Sequence, residues 1–506
     1  MEWMVAPLVA FAVGAPLPRL HAAGGAKTRE AAVAGSFYPA DPKALTAMIG
    51  EMLAKVTLPP IDGPIVAAVA PHAGYPYSGP VAAYTFAALK GHTYARVVVI
   101  APSHYEGFGF TSVYDGDGYA TPLGVVPVDK EFARRLAKMS ATIRLSERGH
   151  APTSAGGEHA IEVELPWLQT VLGKFELVPI VMGDQSYESS RALGVALAKL
   201  IGEEQRKDGD TLGDTLILAS SDLSHYHPYA EAEAIDHKTL NALDAWDYLN
   251  MSRNFQTRVW EACGGGPIVA AMMAAERMGA NQAVTLKYLN SGDTSGDHSR
   301  VVGYSADLFV KSPQTAAEET PFSLTEPEKA ELLALARRSV ETMVEQKEPY
   351  LPEPSTSETL DREYGAFVTI TKEGALRGCI GFTAPVKPLY ATVRDAATLA
   401  ALRDPRFRPV AAEELPQLAY EISVLSPLRH VTDFAQIEVG RDGLLMKNGG
   451  NEGLLLPQVP VEQHWDRQTF LEQTCVKAGM DSKCWKDEET DIFRFTAVVF
   501  KTGSRE

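Results

Sequence analysis

Cysteine is scarce in this chain: Cys263, Cys379, Cys475 and Cys484 are four residues in 506. That number cannot make a disulfide framework for so long a protein, and the spacing of the last two is not that of a zinc knuckle. A reducing, cytoplasmic compartment is the expectation. No run of eighteen apolar residues occurs, so no segment is expected to span a bilayer as a helix. Basic side chains are outnumbered by acidic ones, 47 to 64, for a net charge of -17. Such a surface repels phosphate backbones, which argues against nucleic acid as a main partner and leaves small molecules or proteins. A three-cysteine CxxxCxxC cluster is missing as well, so iron–sulfur chemistry cannot be assigned to this chain.

What is present has the balance of an ordinary globular protein, 45% hydrophobic and 22% charged, in a chain too long for one core. Residues 1–29 form an N-terminal extension, apolar and Ala-rich toward its end. Its first residues carry Glu2 and neither Lys nor Arg, which fits a tail better than a secretory signal, although the signal-like reading stays open. Residues 30–311 alternate short β-rich runs ("GPIVAAVAP", "ARVVVIAP", "FELVPIVMG", "DTLILASSD") with helical patterns ("VAAYTFAALK", "ALGVALAKLIGEE"). That alternation predicts a layered α/β domain around a largely buried sheet. Between 312 and 324 the hydrophobic period is lost to Pro, Thr, Ser and Glu, which marks a linker. A second, smaller domain runs from 325 to 503. It opens on Thr325 as a helix cap, with Pro327 in the first turn and early Glu residues.

Three strand ends in the first domain carry chemistry. "IVAAVAPHAGYPYSG" leads to His72, "RVVVIAPSHYEGF" to His104, and "TLILASSDLSHYHPY" to Asp222 and His225. In open α/β sheets the carboxyl ends of strands face one crevice, so these side chains are expected to converge. Two neutral imidazoles and a third, anionic ligand suffice to hold a divalent ion with positions left for substrate. Cys263, ahead of three glycines and an apolar helical run, is the candidate third ligand, and a helix N-terminus there would favour its thiolate. The bland alternatives are a hydrogen-bonded structural histidine and a small buried hydrophobic cysteine. His159 starts a helical face of Ile161, Leu165, Leu168 and Leu172 and either lines the same pocket or caps that helix. Asp293, Asp297 and His298 read as a polar loop at the rim.

"VAGSFYPAD", "PHAGYPYSG", "APSHY", "GEHAIEVELPW", "SSDLSHY" and "GYSADLF", in this order over residues 30–311, resemble the Memo family, which is itself similar in fold to the class III extradiol dioxygenases. The resemblance implies a metal held by His72, His104 and Cys263, with Fe(II) expected first and Cu(I) or Zn as alternatives. It places an acid/base histidine at His225 with Asp222 beside it, and pocket aromatics at Phe37 and Tyr77. A thiolate stands where an oxygen-activating facial triad uses a carboxylate, so oxygen chemistry is implied and ring cleavage is not.

Over 325–503, "GAFVTITKEGALRGCIGF", "RDPRFRPV", "YEISVLSPL", "DGLLMKNGGNEGLLLPQV" and "FLEQTCVKAGM" look like the AMMECR family. The segment Leu376–Gly381 is expected to be a strand entering a glycine-flanked turn that exposes Arg377 and Cys379. Arg377 is a candidate clamp for a carboxylate or phosphate and Cys379 a candidate nucleophile; a surface ion pair and a buried strand cysteine are the plainer readings. The two families occur with a radical S-adenosylmethionine protein in one system, which implies such a protein as a partner of this fusion. Three function classes follow: an oxygenase-like metalloenzyme acting on a small molecule, a peptide- or anion-binding module, and a copper- or iron-handling protein without turnover.

Overall fold

The computed structural model describes residues 27–150, 157–208, 214–313, 323–351 and 357–502. The extension before residue 27, most of the linker and residues 503–506 lie outside them. Each of the four apolar runs is a strand, and together they are the parallel heart of a nine-stranded sheet. Their spatial order is Ile65–Ala70, Thr215–Ser220, Arg96–Pro102 and Glu176–Met182. Burial on both faces explains why these strands are continuously apolar rather than alternating. Ala68, Ala70, Val97 and Val99 pack into one core, whereas Ala67, Val69, Val98 and Ile100 pack into another on the opposite face. Val301–Val310 extends the sheet antiparallel to Ile65–Ala70, and Gln282–Asn290 pairs with it in turn. Helices Tyr75–Leu89, Tyr187–Asp208 and Gly265–Arg277 supply the covering layers.

The second domain begins as expected, with a capping box between Thr325 and Glu328 opening the helix Glu326–Gln346. Two four-stranded antiparallel sheets follow. One joins Ala375–Phe382, Ala366–Lys372, Leu418–Leu425 and Ala497–Lys501; the other joins Arg429–His430, Asp491–Phe495, Gly443–Asn448 and Asn451–Leu455.

One expectation is corrected here. Leu376–Gly381 is a strand, as expected, but it lies in the interior of Ala375–Phe382 and enters no turn. Gly378 is needed because a Cβ there would stand 2.1 Å from the carbonyl oxygen of Ala400 in helix Leu389–Leu402. Cys475 and Cys484 are bonded as a disulfide across a Cα separation of 5.8 Å, a single local link rather than a framework.

The domains share a core. Leu425, Leu428, Phe493 and Phe495 join Tyr248, Ile268 and Met272 in one buried cluster. Beside it, Asp491 accepts hydrogen bonds from Tyr187 Oη at 2.5 Å, Arg191 Nε at 2.8 Å and Arg277 Nη2 at 3.3 Å. Among the described residues, no helix is long and apolar enough to cross a membrane.

Candidate metal centre

His72, His104 and Asp222 each stand two residues beyond the last residue of a strand, at the shared carboxyl edge of three adjacent parallel strands. Cys263 reaches the same place from the other side, just ahead of helix Gly265–Arg277. Gly264 permits the approach, since a Cβ on it would lie 2.4 Å from the carbonyl oxygen of Ser220. Ligand atoms of His72, His104 and Cys263 all fall within 4.8 Å of one another. The thiol sulfur is 3.1 Å from His72 Nε2, and the two imidazoles meet edge-on with centroids 5.1 Å apart.

Each imidazole is held through its Nδ1. In His72, Nδ1 lies 2.8 Å from Ser220 Oγ, which leaves Nε2 facing Cys263. Ser220 Oγ is in turn 2.7 Å from both the Ala160 carbonyl and Glu164 Oε1. Burial pushes Glu164 well above the usual carboxylate range. Burial, reinforced by the neighbouring His104, lowers the His72 pKa and keeps that ring neutral, as a metal ligand must be.

In His104, Nδ1 is 2.9 Å from Glu158 Oε1 and the backbone N–H donates to Oε2 at 2.6 Å. Burial alone would raise Glu158; bonds from His104 and from backbone N–H groups outweigh it and hold the carboxylate at about 2. Burial likewise would lower His104, but the Glu158 contact prevails and raises it. A carboxylate behind a histidine fixes the tautomer and leaves Nε2 for an ion. The donor set, the locked rings and the closeness of the ligand atoms fit a divalent metal.

A family model described as Memo-like protein matches residues 29–308, more than half of the chain. The chain belongs to the Memo family. Its remaining part carries an AMMECR1 domain, matched over residues 333–500. The MEMO1 family protein MK0963 of Methanopyrus kandleri is 39% identical over 56% of this chain and 98% of its own length. Protein TK0174 of Thermococcus kodakarensis is 47% identical over 34% of this chain and 88% of its own. The crystal structure of an uncharacterized protein, PH0010 from Pyrococcus horikoshii, is 41% identical and covers 36% of this chain and 94% of that one, with a TM-score of 0.35.

Around the Memo-domain triad, the His159 ring lies against both imidazoles, and its side chain caps no helix. Its carbonyl starts the helical turn by accepting from Val163 N at 2.9 Å. Its ring stacks on His104 at 4.9 Å and meets His72 edge-on at 5.6 Å, with Phe37 at 4.6 Å on another side. Burial and the two other histidines lower its pKa to about 4. His159 Nδ1 is buried with no hydrogen-bond partner in the protein, as suits a pocket wall awaiting a ligand. Tyr77, 48% exposed, stands at the start of helix Tyr75–Leu89.

The structure rearranges the expected acid/base pair. Asp222 does not orient His225: its Oδ1 accepts from the backbone N–H groups of His72 and Ala73, at 2.9 and 3.3 Å. The Leu223 carbonyl, 2.8 Å from His225 Nδ1, fixes that ring instead. Nor does the helix terminus make Cys263 a thiolate unaided. Burial first, and Asp222 second, push its thiol upward, so a cation is needed to hold the anion. Asp293 and His298 serve their own segment, Asp293 by capping helix Ser291–Ser295 and accepting from Tyr229 Oη, and His298 by stacking on Tyr229.

In the AMMECR1 domain Arg377 grips Glu414 with two bonds of 3.0 and 2.9 Å, so its clamp is already filled from within the chain. Cys379 donates its backbone N–H to Asp404 at 2.8 Å, and its sulfur accepts from Thr369 Oγ1 at 3.2 Å. The residues that sequence reasoning missed are Ser220, Glu158 and Glu164. Glu158 directly precedes His159 in "GEH", but only the fold reveals that it serves His104.

Proposed function

We propose that this chain is a metal-dependent redox enzyme in which His72, His104 and Cys263 hold Fe(II) at the carboxyl edge of the Memo-domain sheet. The carrying observation is the convergence of two imidazoles and a thiol within 4.8 Å, each imidazole presenting Nε2 because Nδ1 is bonded elsewhere. When bound, Fe(II) supplies a Lewis acid and a redox centre suited to activating oxygen.

The chain's own groups do the rest. Glu158 holds the His104 ring still and balances charge. His225 donates Nδ1–H to the Leu223 carbonyl, so its Nε2 is the basic nitrogen and moves the substrate proton there. Phe37 and neutral His159 form the wall against which a small organic substrate lies, with Tyr77 at the rim. A soft thiolate in place of a carboxylate separates this centre from ring-cleaving relatives of the fold. A radical S-adenosylmethionine protein of the same system is the proposed partner, supplying or consuming the substrate. The same soft donors also favour a second reading, in which the site binds Cu(I) or Zn for metal handling.

Metal content by mass spectrometry of anaerobically purified protein tests this. Near-stoichiometric iron is expected in the wild type and its loss in His72→Ala, His104→Ala and Cys263→Ala, with iron retained in His225→Ala. Folded wild type that stays iron-free after anaerobic Fe(II) reconstitution would sink the oxygenase reading. Copper or zinc in its place supports metal handling, and no metal supports a peptide- or anion-binding cleft.

A further inference from the structure

Cys263, unlike His72 and His104, is not delivered by the sheet. It closes a segment, Trp260 to Cys263, strung between helices Tyr248–Thr257 and Gly265–Arg277. Whatever fixes that segment fixes the thiol. One hold comes from the Memo domain: Gln185 Nε2 donates to the Cys263 carbonyl at 2.9 Å, and its Oε1 accepts from Gly266 N at 2.8 Å.

The opposite hold comes from the AMMECR1 domain. Trp260 is 3% exposed, and its indole N–H donates to Glu363 Oε2 at 3.3 Å. The other oxygen of Glu363 pairs with Lys238 at 2.7 Å. At the far end of the helix that Cys263 precedes, Arg277 reaches Asp491 and Glu276 lies 3.1 Å from His430. Between Trp260 and Cys263, Glu261 accepts from the His225 backbone N–H at 3.3 Å and sits 3.0 Å from His227 Nε2. A single short segment therefore touches the second domain, the His225 loop and the metal centre.

Resting on the metal site proposed above, we infer that the AMMECR1 domain is a positioning element for that centre, with Glu363 setting Cys263 through Trp260. Without the Trp260–Glu363 bond the segment loses its tether to the second domain, and an indole N–H left without an acceptor moves until it finds water; either change carries the thiol away from the imidazoles. Partners one step behind a ligand typically change metal affinity by about 10- to 100-fold.

The test is anaerobic Co(II) titration of the full chain, read by the thiolate-to-cobalt charge-transfer absorption, which reports the cysteine specifically. Trp260→Phe removes the N–H together with the pyrrole half of the indole; Glu363→Ala removes the acceptor and leaves the indole whole; Glu363→Gln keeps an acceptor oxygen. Glu489→Ala breaks a different cross-domain pair, with Arg191, as a control. Trp260→Phe and Glu363→Ala should each weaken Co(II) binding about tenfold, the double variant no further than either alone. Glu363→Gln and Glu489→Ala should match the wild type. Wild-type affinity in Trp260→Phe and Glu363→Ala overturns the inference while leaving the metal site standing. Equal weakening in Glu489→Ala overturns the specific route through Trp260. Absence of the absorption in the wild type overturns the triad, and this inference with it.

Discussion

Asp307 and Glu158 are both buried carboxyl groups, and their surroundings drive them in opposite directions. Glu158 faces an imidazole and backbone donors and stays ionised. Asp307, inside strand Val301–Val310, receives only the hydroxyls of Thr285 and Ser305, each at 2.7 Å, and burial pushes it up to about 7. The folded protein thus keeps a proton that the unfolded chain releases near pH 4. Across pH 4 to 7 the native state binds more protons, so stability falls as pH rises through that window. Asp307→Asn should remove the fall and stabilise the protein at pH 8 by on the order of 2 kcal/mol. Urea denaturation at pH 5 and pH 8 checks it, and identical pH dependence in the two proteins would refute the assignment. At this scale the convergence of His72 and His104 was legible from their strand-end positions, and that of Cys263 from its place ahead of the glycine run. Glu158 and the Leu223 carbonyl were not, since a ring's partner is chosen by three-dimensional approach rather than by spacing.

Secondary structure was legible wherever burial is uniform. The four parallel strands follow from unbroken apolar runs, and helix Glu326–Gln346 from its capping box. The strand at Leu376–Gly381 was legible too, but the turn expected at its glycines was not there, because glycine marks both turns and close packing and only a neighbouring helix decides between them. Gly378→Ala should therefore be costly, since its Cβ would meet backbone at Ala400, which cannot swing aside. A loss of about 2 to 3 kcal/mol is expected, in the range of overpacking. Gly50, in helix Pro42–Leu53 with nothing within 4 Å of its would-be Cβ, makes the opposite case. Gly50→Ala should stabilise by about 0.5 to 1 kcal/mol through helix propensity. Thermal denaturation of the two variants side by side decides the matter; comparable melting temperatures would mean that glycine in "LRGCIG" serves something other than packing.

At the scale of the whole molecule, the linker and the two family matches mark where each domain lies but not that they share a core. No sequence period announces that Phe493 and Phe495 pack with Tyr248 and Met272, because each set looks like the interior of its own domain. The buried charges beside that contact make it specific. Asp491 is 2% exposed and draws Arg191 and Arg277 from two Memo-domain helices to one carboxylate. Removing it leaves Arg191 to the exposed Glu489 and Arg277 to Glu276 at 4.0 Å, and breaking a buried pair in this way typically costs about 3 kcal/mol. That cost falls on the junction, not on either separate core. The wild type should consequently unfold by calorimetry in one transition. Asp491→Ala should split it in two, because domains joined by a weakened interface no longer lend each other stability. A variant that still melts in a single, merely lowered transition would mean that the apolar contacts alone couple the domains, and that the ion cluster serves only local stability.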